Sequence, residues 1–320
     1  MLLALTWLAG CGDAPGTRVV TEVLAEGLDN PTAVIVGADG LLWVAESGTG
    51  RVVTVDAEGT VTAFITDFDP GTHAPYNIGP LGMIQSSDGG LIVGEGGRPP
   101  GQDPVSFYGL DGAPSFEPIV PAVGDNYYGL TIQPSTGNLL IASAGTDRIF
   151  GAQPAEGGGF SEPVVIISDT KEEPIAAAAP TALAFDPEGL LYVGFAGDGS
   201  SKIVRIDTAT SFVEPLIETD SSVTGIAFRP SDSTLFFTVF GDAERSSGAV
   251  FNIGTNGVAT QFAGRLAGPT ALAFDSADAL YVTTVGAPPN AAAGQLLKIT
   301  VEEIVEEGPP ADESADDNGT

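Results

Sequence analysis

The chain has 320 residues, 43% of them hydrophobic, and contains 43 glycines and 24 prolines. Glycine and proline at this frequency interrupt long helices and favour short strands joined by turns. The 42 acidic residues against 11 Lys and Arg give a net charge of −31. Such a surface repels nucleic acids and anionic membranes, so we expect no nucleic-acid partner. The charge serves either solubility or the binding of cations.

The N-terminus predicts export. Leu2–Leu8 is a short apolar run, and the four residues that end at Cys11, LAGC, resemble a bacterial lipobox, which implies a lipid on Cys11. The run is short and no Lys or Arg precedes it, which departs from a typical signal sequence. The alternative is an ordinary cleaved signal or a frayed terminus. Cys11 is the only cysteine, and no disulfide can form within the chain. We expect a signal peptide at 1–10, a tether at 11–17, and an envelope or extracellular protein that meets the membrane only through its lipid.

One pattern of an apolar strand, a tight turn and a second apolar strand occurs six times. The marker of each copy is the residue before a small Ala or Gly in the first strand. The six marker residues are Thr32, Leu81, Tyr128, Thr181, Thr224 and Thr270. They lie 43 to 53 residues apart, and four strands in a repeat of about 40–50 residues are typical of a β-propeller blade. We predict an all-β, six-bladed propeller of four-stranded antiparallel blades over residues 18–304, followed by an acidic disordered tail at 305–320.

The sequence also predicts how the ring closes. The clearest copy has four strands, Thr181–Phe185, Leu190–Phe195, Lys202–Asp207 and Phe212–Ile217. The last copy ends after its third strand, Gln295–Val301, whereas Val19–Leu24 precedes every complete copy and resembles the fourth strands elsewhere. We expect the N-terminal strand to complete the sixth blade, because closure removes exposed strand edges.

Two segments carry a family resemblance. Leu42–Val52, LWVAESGTGRV, resembles an NHL repeat, and Leu140–Ile149 is a weaker copy. With the PTALAFDPEG turn that begins at Pro180, the layout of residues 18–301 resembles the ScyD/ScyE-type, gluconolactonase-like and streptogramin-lyase-like propellers. The resemblance implies a six-bladed propeller and leaves the activity open, because propellers host many unrelated functions.

The gluconolactonase resemblance also implies a metal site that this chain does not match. In that family, Asn or Asp residues at the marker positions hold the metal, helped by a Glu on the opening strand. None of the six marker residues here is a carboxylate or an amide. Lactonase activity is therefore not carried over. We expect the four marker threonines to line the channel and to hydrogen-bond to neighbours or water.

Antiparallel connectivity places the loops between second and third strands on one rim, together with the segments that lead into each first strand. Long loops on a rigid scaffold are the usual place for binding. The candidate ligand-binding residues of this rim are Glu46, Arg51, Tyr76, Glu95, Arg98, Tyr128, Arg148, Lys202 and Arg245. The five cations among them are predicted to begin third strands. They either form salt bridges across their own loops, as Glu46–Arg51 and Glu95–Arg98 would, or form a ring that attracts an anionic ligand.

Oxygen ligands precede several first strands and are candidates for Ca²⁺. They are Asp29, Asn30, Asn77, Asp125 and Asn126. The alternative is that these side chains cap turns. His73, the only histidine, is a weak candidate for a general acid or base, because no nucleophile or metal motif accompanies it.

Three functions follow from these observations. The first is an exported propeller, monomeric and lipid-anchored, that binds an envelope protein or a glycan through its loop-rich rim. The second is a Ca²⁺-dependent hydrolase or lyase. The third is a scaffold within an envelope complex. The unmatched metal positions favour binding over catalysis and leave the question of an enzyme open.

Overall fold

A computed structural model describes residues 16–37, 40–69, 71–73, 76–99, 101–197, 201–289 and 291–303, without the side chains of Thr72 and His73. The predicted signal peptide, Cys11 and the acidic tail lie outside the described residues. Within these ranges the helical structure is a 3₁₀ turn at Ala144–Thr146. None of the described helical structure is long and apolar enough to cross a membrane.

The described strands are numbered in chain order. The N-terminal strand and blade one are β1 (Thr17–Leu28), β2 (Pro31–Val36), β3 (Leu42–Glu46), β4 (Arg51–Val55) and β5 (Val61–Ile65). A two-stranded hairpin and blade two follow as β6 (Gly71–His73), β7 (Tyr76–Ile78), β8 (Pro80–Gln85), β9 (Leu91–Glu95), β10 (Val105–Tyr108) and β11 (Pro114–Ile119). Blade three is β12 (Tyr127–Ile132), β13 (Leu139–Ser143), β14 (Arg148–Ala152) and β15 (Val164–Ile167).

The remaining blades repeat this plan. Blade four is β16 (Pro180–Phe185), β17 (Leu191–Phe195), β18 (Ser201–Asp207) and β19 (Phe212–Thr219). Blade five is β20 (Val223–Phe228), β21 (Leu235–Val239), β22 (Gly248–Ile253) and β23 (Ala259–Leu266). Blade six is β24 (Pro269–Phe274), β25 (Leu280–Thr284) and β26 (Gly294–Glu303), with β1 as its fourth strand.

Each blade is a four-stranded antiparallel sheet whose first strand is innermost. The six first strands contact one another around a closed ring, from β2 through β8, β12, β16 and β20 to β24 and back to β2. The predicted six-bladed all-β propeller is confirmed, and the predicted strands of blade four agree with the observed ones within two residues. Apolar side chains fill the spaces between neighbouring blades, as where Leu183 of blade four packs with Ile149 of blade three.

The ring closes through the N-terminal strand, as predicted. β1 pairs antiparallel with β26, from Thr17 opposite Glu303 to Leu28 opposite Gly294. Arg18 extends this closure with an ion pair, its Nη2 lying 2.7 Å from Glu302 Oε2. The strand is longer than the predicted Val19–Leu24, because pairing continues past two register shifts.

Every first strand has a register shift at its marker residue. Thr32 stands between Pro31 and Ala33, which pair with consecutive residues of β3, and the same shift recurs in all six blades. A bulge of this kind leaves one residue outside the ladder and re-aims its side chain. The marker residue is therefore free to reach the neighbouring blade.

Four marker threonines use this freedom to bind the next blade. Each Oγ1 donates to a backbone carbonyl of the following first strand. The four bonds are Thr32 to Pro80 (2.9 Å), Thr181 to Val223 (2.5 Å), Thr224 to Pro269 (2.7 Å) and Thr270 to Pro31 (2.6 Å). The expectation that these threonines bond to neighbours is confirmed, and the bonds cross between blades.

The two other interfaces use aspartates from the loops between second and third strands. Leu81 and Tyr128 occupy the marker positions at these two interfaces. Neither residue has a hydroxyl group on Cβ, as threonine does. Asp103 of blade two accepts from the Asn126 amide of blade three at 2.9 Å. Asp147 of blade three accepts from the Ala179 amide of blade four at 2.7 Å. All six interfaces thus have a side-chain hydrogen bond to the backbone at or just before a first strand.

The small residue after each marker is required by this close approach. A Cβ on Gly82 would lie 2.2 Å from the carbonyl oxygen of Tyr128 in the next first strand. A Cβ on Gly225 would lie 2.9 Å from Leu272 Cδ2 and 3.1 Å from Ala271 Cα. The repeated Ala or Gly in the sequence therefore marks where neighbouring first strands come together.

The prediction that five cations begin third strands is wrong for Arg98 and Arg245. Blade two's third strand starts at Val105, and blade five's starts at Gly248. In blade two, Pro104 has no amide hydrogen and cannot donate to the strand ladder. In blade five, the Asp242 carboxylate accepts from the amides of Glu244 and Arg245 and holds them in a turn.

We expect Thr181→Val to destabilise the protein by about 1–2 kcal/mol, because the buried Val223 carbonyl loses its donor while side-chain volume is kept. Thermal unfolding should show this as a drop of a few degrees in Tm. Thr62→Val, at an exposed position on β5, is the control and should change the free energy of unfolding by no more than about 0.5 kcal/mol. Equal effects of the two substitutions would contradict the role of the threonine bonds.

Candidate binding rim

The loops between second and third strands and the segments leading into first strands share one edge of the ring, which we call the loop rim. In the described residues it comprises 29–30, 47–50, 66–69, 71–73, 76–79, 96–99, 101–104, 120–126, 144–147, 168–179, 196–197, 220–222, 240–247, 267–268, 285–289 and 291–293. The opposite edge, the turn rim, consists of tight turns such as 56–60 and 186–190. The predicted site residues that lie near the end of a second strand, or just before a first strand, are on the loop rim.

Glu46 and Arg51 form the first of the expected salt bridges. Arg51 Nε lies 2.5 Å from Glu46 Oε2, and the Glu46 side chain is fully buried. Its other oxygen, Oε1, accepts from the Asp29 amide at 2.8 Å. The pair thus ties the loop of blade one to the segment that leads into that blade.

Glu95 and Arg98 form the equivalent pair in blade two. Arg98 Nη2 lies 3.2 Å from Glu95 Oε2, and the Ser106 hydroxyl donates to Glu95 Oε1 at 2.6 Å. Burial raises the pKa of Glu95, although Ser106 and Arg98 oppose the shift. Arg98 also lies 3.8 Å from Asp69 of the preceding segment.

The three other cations also lie near acceptors. Arg245 Nε is 3.3 Å from Asp242 Oδ2, and Arg148 Nη1 donates to the Thr146 carbonyl at 3.3 Å. Lys202 stands opposite Glu218 in the register of β18 and β19. Arg51, Arg148 and Lys202 lie on third strands, whereas Arg98 and Arg245 lie in loops, and the five cations belong to five different blades.

The two predicted tyrosines occupy different places. Tyr128 lines the central channel with three marker threonines, and burial followed by the charge of Asp125 raises its pKa to about 12. The cavity there is about 90 Å³, well below the roughly 300–1,000 Å³ of typical ligand pockets.

Tyr76 lies in the β6–β7 hairpin, and burial, followed by the charges of Glu244 and Asp242, raises its pKa. His73 belongs to β6, with its side chain outside the described part.

Asn30 and Asn126 act as turn residues and as bridges between blades. Both have left-handed backbones, with φ of 49° and 55°, which asparagine tolerates better than most residues. Asn30 Nδ2 donates to the Asn77 carbonyl at 2.6 Å, and Asn126 Oδ1 accepts from the Gly97 amide at 3.3 Å. The loops of blades one, two and three are therefore tied to one another.

Asp29 and Asp125 occupy equivalent positions, each packed against a glycine of its own blade's loop. A Cβ on Gly48 would lie 2.3 Å from Asp29 Oδ1, and one on Gly145 would lie 2.5 Å from Asp125 Oδ2. Burial and the charge of Glu46 raise the pKa of Asp29, against the opposing charge of Arg51. Asp29 Oδ1 is buried without a hydrogen-bond partner in the described part.

Asp103 was not among the predicted site residues, yet it forms a carboxyl pair with Asp125. Asp103 is fully buried and accepts from the amides of Arg98 and Asn126, both at 2.9 Å. Burial raises the pKa of Asp125 to about 7, helped by a hydrogen bond to Asp103 and by the charge of Asp103. The sequence holds no signal for this pair, because its members lie in two separate irregular segments, one before β10 and one after β11.

The acidic Ca²⁺ candidates, Asp29 and Asp125, do not belong to a group of three or more acidic, His or Cys side chains in the described residues. Ca²⁺ is held by six to eight oxygen ligands. Among the described residues, no three Asp, Glu, His or Cys side chains are grouped to hold a metal ion. The side-chain amides of Asn30 and Asn126 form hydrogen bonds between loops.

Comparison with known proteins identifies the fold. No protein-family profile and no curated protein sequence matches the chain. Among solved structures it is similar to a PQQ-bound aldose sugar dehydrogenase from Streptomyces coelicolor, with 18% identity, a TM-score of 0.64, and coverage of 90% of this chain and 100% of that one. A gluconolactonase-like protein matches with 16% identity, a TM-score of 0.61, and coverage of 91% and 94%.

A streptogramin B lyase is also similar, with 15% identity, a TM-score of 0.57, and coverage of 90% of this chain and 98% of that one. At such identities the likeness establishes the fold alone. The chain has the six-bladed propeller fold of the gluconolactonase-like, streptogramin lyase and glucose dehydrogenase structures, in agreement with the resemblance found in the sequence.

We expect the Asp103–Asp125 pair to make stability depend on pH. The folded protein holds the Asp125 proton up to about pH 7, whereas the unfolded chain releases it near pH 4. The resulting stability is fully present below about pH 4 and is lost as the pH rises through about 7. Asp125→Asn should flatten this dependence and stabilise the protein at pH 8 by about 1 kcal/mol, a value reduced for the partial exposure of the carboxyl group.

Urea unfolding from pH 4 to pH 8 would measure this effect. Glu188→Gln, in an exposed turn on the turn rim, should leave the pH profile of the parent protein unchanged. An Asp125→Asn profile that falls with pH as steeply as the parent's would contradict the shared proton.

Proposed function

We propose that this protein is an exported, lipid-anchored propeller that binds an envelope partner through its loop rim. The proposal rests on the hydrogen bonds that join the rim loops of blades one to three. Asn30 bonds to the Asn77 carbonyl, Asn126 to the Gly97 amide, and Asp103 to the Asn126 amide. A surface fixed before binding loses less conformational entropy on association, which favours recognition.

The charge of the rim indicates the kind of partner. Arg51 and Arg98 are paired with buried carboxylates, so they are poorly placed to recruit an anion. Asp69 and Glu172, by contrast, are exposed on the loop rim, and the chain carries a net charge of −31. A protein with a basic surface therefore fits the rim better than an acidic glycan, because opposite charge steers association and like charge opposes it.

The carboxyl pair favours a second candidate function, a hydrolase or lyase. A group with a pKa of about 7, as for Asp125, can both give and take a proton at neutral pH, as a general acid or base must. Solved structures of similar fold include a lyase and a gluconolactonase-like protein. Activity that Asp125→Asn abolishes in a folded protein would support this function over binding.

Charge reversal on the rim tests the binding function. Asp69→Lys combined with Glu172→Lys should reduce capture of the partner from an envelope fraction by at least about tenfold, because a basic partner would be repelled. Glu58→Lys combined with Glu188→Lys makes the same charge change on the turn rim and should leave capture unchanged. Equal capture by the two double variants would exclude a charge-guided rim contact.

A separate prediction concerns the anchor. Cys11→Ser removes the only thiol that could carry a lipid and should move the protein from the membrane fraction to the soluble fraction. Ala14→Ser, three residues further along, is the control and should not change fractionation. Membrane association of Cys11→Ser at the parent level would contradict lipid anchoring.

A further inference from the structure

A groove lies between blades four and five, near the loop rim. Its volume is about 580 Å³, which lies within the range of small-molecule sites. One wall is the end of β19 with the segment that follows it, and the other is the face of blade five that looks toward blade four. The lining residues are Ile217, Glu218, Thr219, Asp220, Ser221, Phe237, Val239, Gly241, Asp242, Ser247, Ala249, Phe251, Ala259 and Gln261.

The groove has room because blade five carries small side chains where other blades carry long ones. The last residue of its second strand, Val239, stands opposite Ala249 of its third strand. The equivalent pairs in blades one, three and six are Glu46–Arg51, Ser143–Arg148 and Thr284–Gln295. Alanine at position 249 therefore takes the place of two arginines and a glutamine, and the space that those side chains occupy elsewhere is open here.

The floor of the groove is apolar and aromatic. Phe237 and Phe251 stack with ring centroids 5.5 Å apart and planes 16° from parallel. Phe237 is almost fully buried, whereas Phe251 and Val239 are half-buried and present surface to the groove. Such a floor favours an aliphatic or aromatic body, since burial of apolar surface is favourable.

The border of the groove is acidic. Glu218, Asp220 and Asp242 line it, and no lining residue is Lys or Arg. Asp242 is partly neutralised by Arg245 at 3.3 Å, and Lys202 faces Glu218 in the strand register. Asp220 is exposed and has no ion-pair partner among the described residues.

We propose that this groove binds a small organic cation, an ammonium or guanidinium group carried on an aliphatic or aromatic body. The apolar floor takes the body, and the carboxylates at the border take the charge. An anion of the same size would meet three carboxylates and be repelled. The groove is formed by blades four and five, whereas the proposed rim function is argued from the loops of blades one to three, so this inference does not rest on that function.

Isothermal titration of the full chain with 4-phenylbutylamine tests the proposal. The anion 4-phenylbutyrate has the same kind of phenylalkyl body and is the matched ligand control. We expect one amine to bind per chain, with an affinity that falls as NaCl is raised, and no binding of the anion. Failure of the amine to bind, or equal binding of the anion, would overturn the proposal.

Two substitutions locate the site. Ala249→Gln introduces the side chain that blade six carries at this position and should weaken amine binding at least about tenfold by filling the groove. Asp220→Asn, at an exposed position that cannot disturb the core, should weaken it about fivefold, and Glu188→Gln on the turn rim should not weaken it. Retention of the parent affinity by both Ala249→Gln and Asp220→Asn would place the amine elsewhere and overturn the assignment. If Ala249→Gln fails to fold, Asp220→Asn against Glu188→Gln decides the matter.

Discussion

The structure depends on hydrogen bonds that cross from one blade to the backbone of the next, at or just before its innermost strand. A propeller blade is a twisted sheet, and the apolar contacts between neighbouring blades are non-directional, so they do not by themselves set the register of one blade against the next. A hydroxyl that donates to a chosen carbonyl, as Thr270 does to Pro31 between blades six and one, sets that register. The bulge beneath each marker residue makes the bond possible, because the unpaired residue can turn sideways. The small residue beside it then allows the backbones to approach.

The same constraint explains which parts of the structure the sequence predicts. The repeat period, the small residues after the markers and most of the marker threonines are all required by the packing of blades around the ring. They therefore recur along the chain, and this recurrence is what allows the fold and the ring closure to be predicted. The Asp103–Asp125 pair does not repeat. It joins a loop of blade two to the segment that leads into blade three, 22 positions further along and beyond β10 and β11, and no periodicity marks it. The prediction that Arg98 and Arg245 begin third strands is wrong for a related reason, because spacing alone does not show where a loop ends and a strand begins.

Charge is distributed in a way that composition alone does not indicate. A chain of net charge −31 nevertheless buries Glu46, Glu95 and Asp103. Each of these carboxylates is satisfied by backbone amides, a hydroxyl or an arginine, as burial of a charged group requires. Two of the rim cations, Arg51 and Arg98, pair with buried carboxylates. The acidic residues of the chain far outnumber its cations, and this excess leads both the rim and the groove toward positively charged partners.

Departures from the repeat are where a repetitive fold acquires particular properties. Where blades two and three lack the marker threonine, Asp103 and Asp147 take over the interblade bond, and Asp103 also lies beside Asp125, whose pKa burial raises to about 7. Where blade five lacks the long side chain at position 249, its face opens into a groove with a stacked aromatic floor. Both departures leave the ring intact, because neither touches the hydrogen bonds of Thr181 and Thr224 that hold blade five in place. The ring can therefore hold its shape while single interfaces differ in chemistry, and those interfaces are where binding or catalysis can arise.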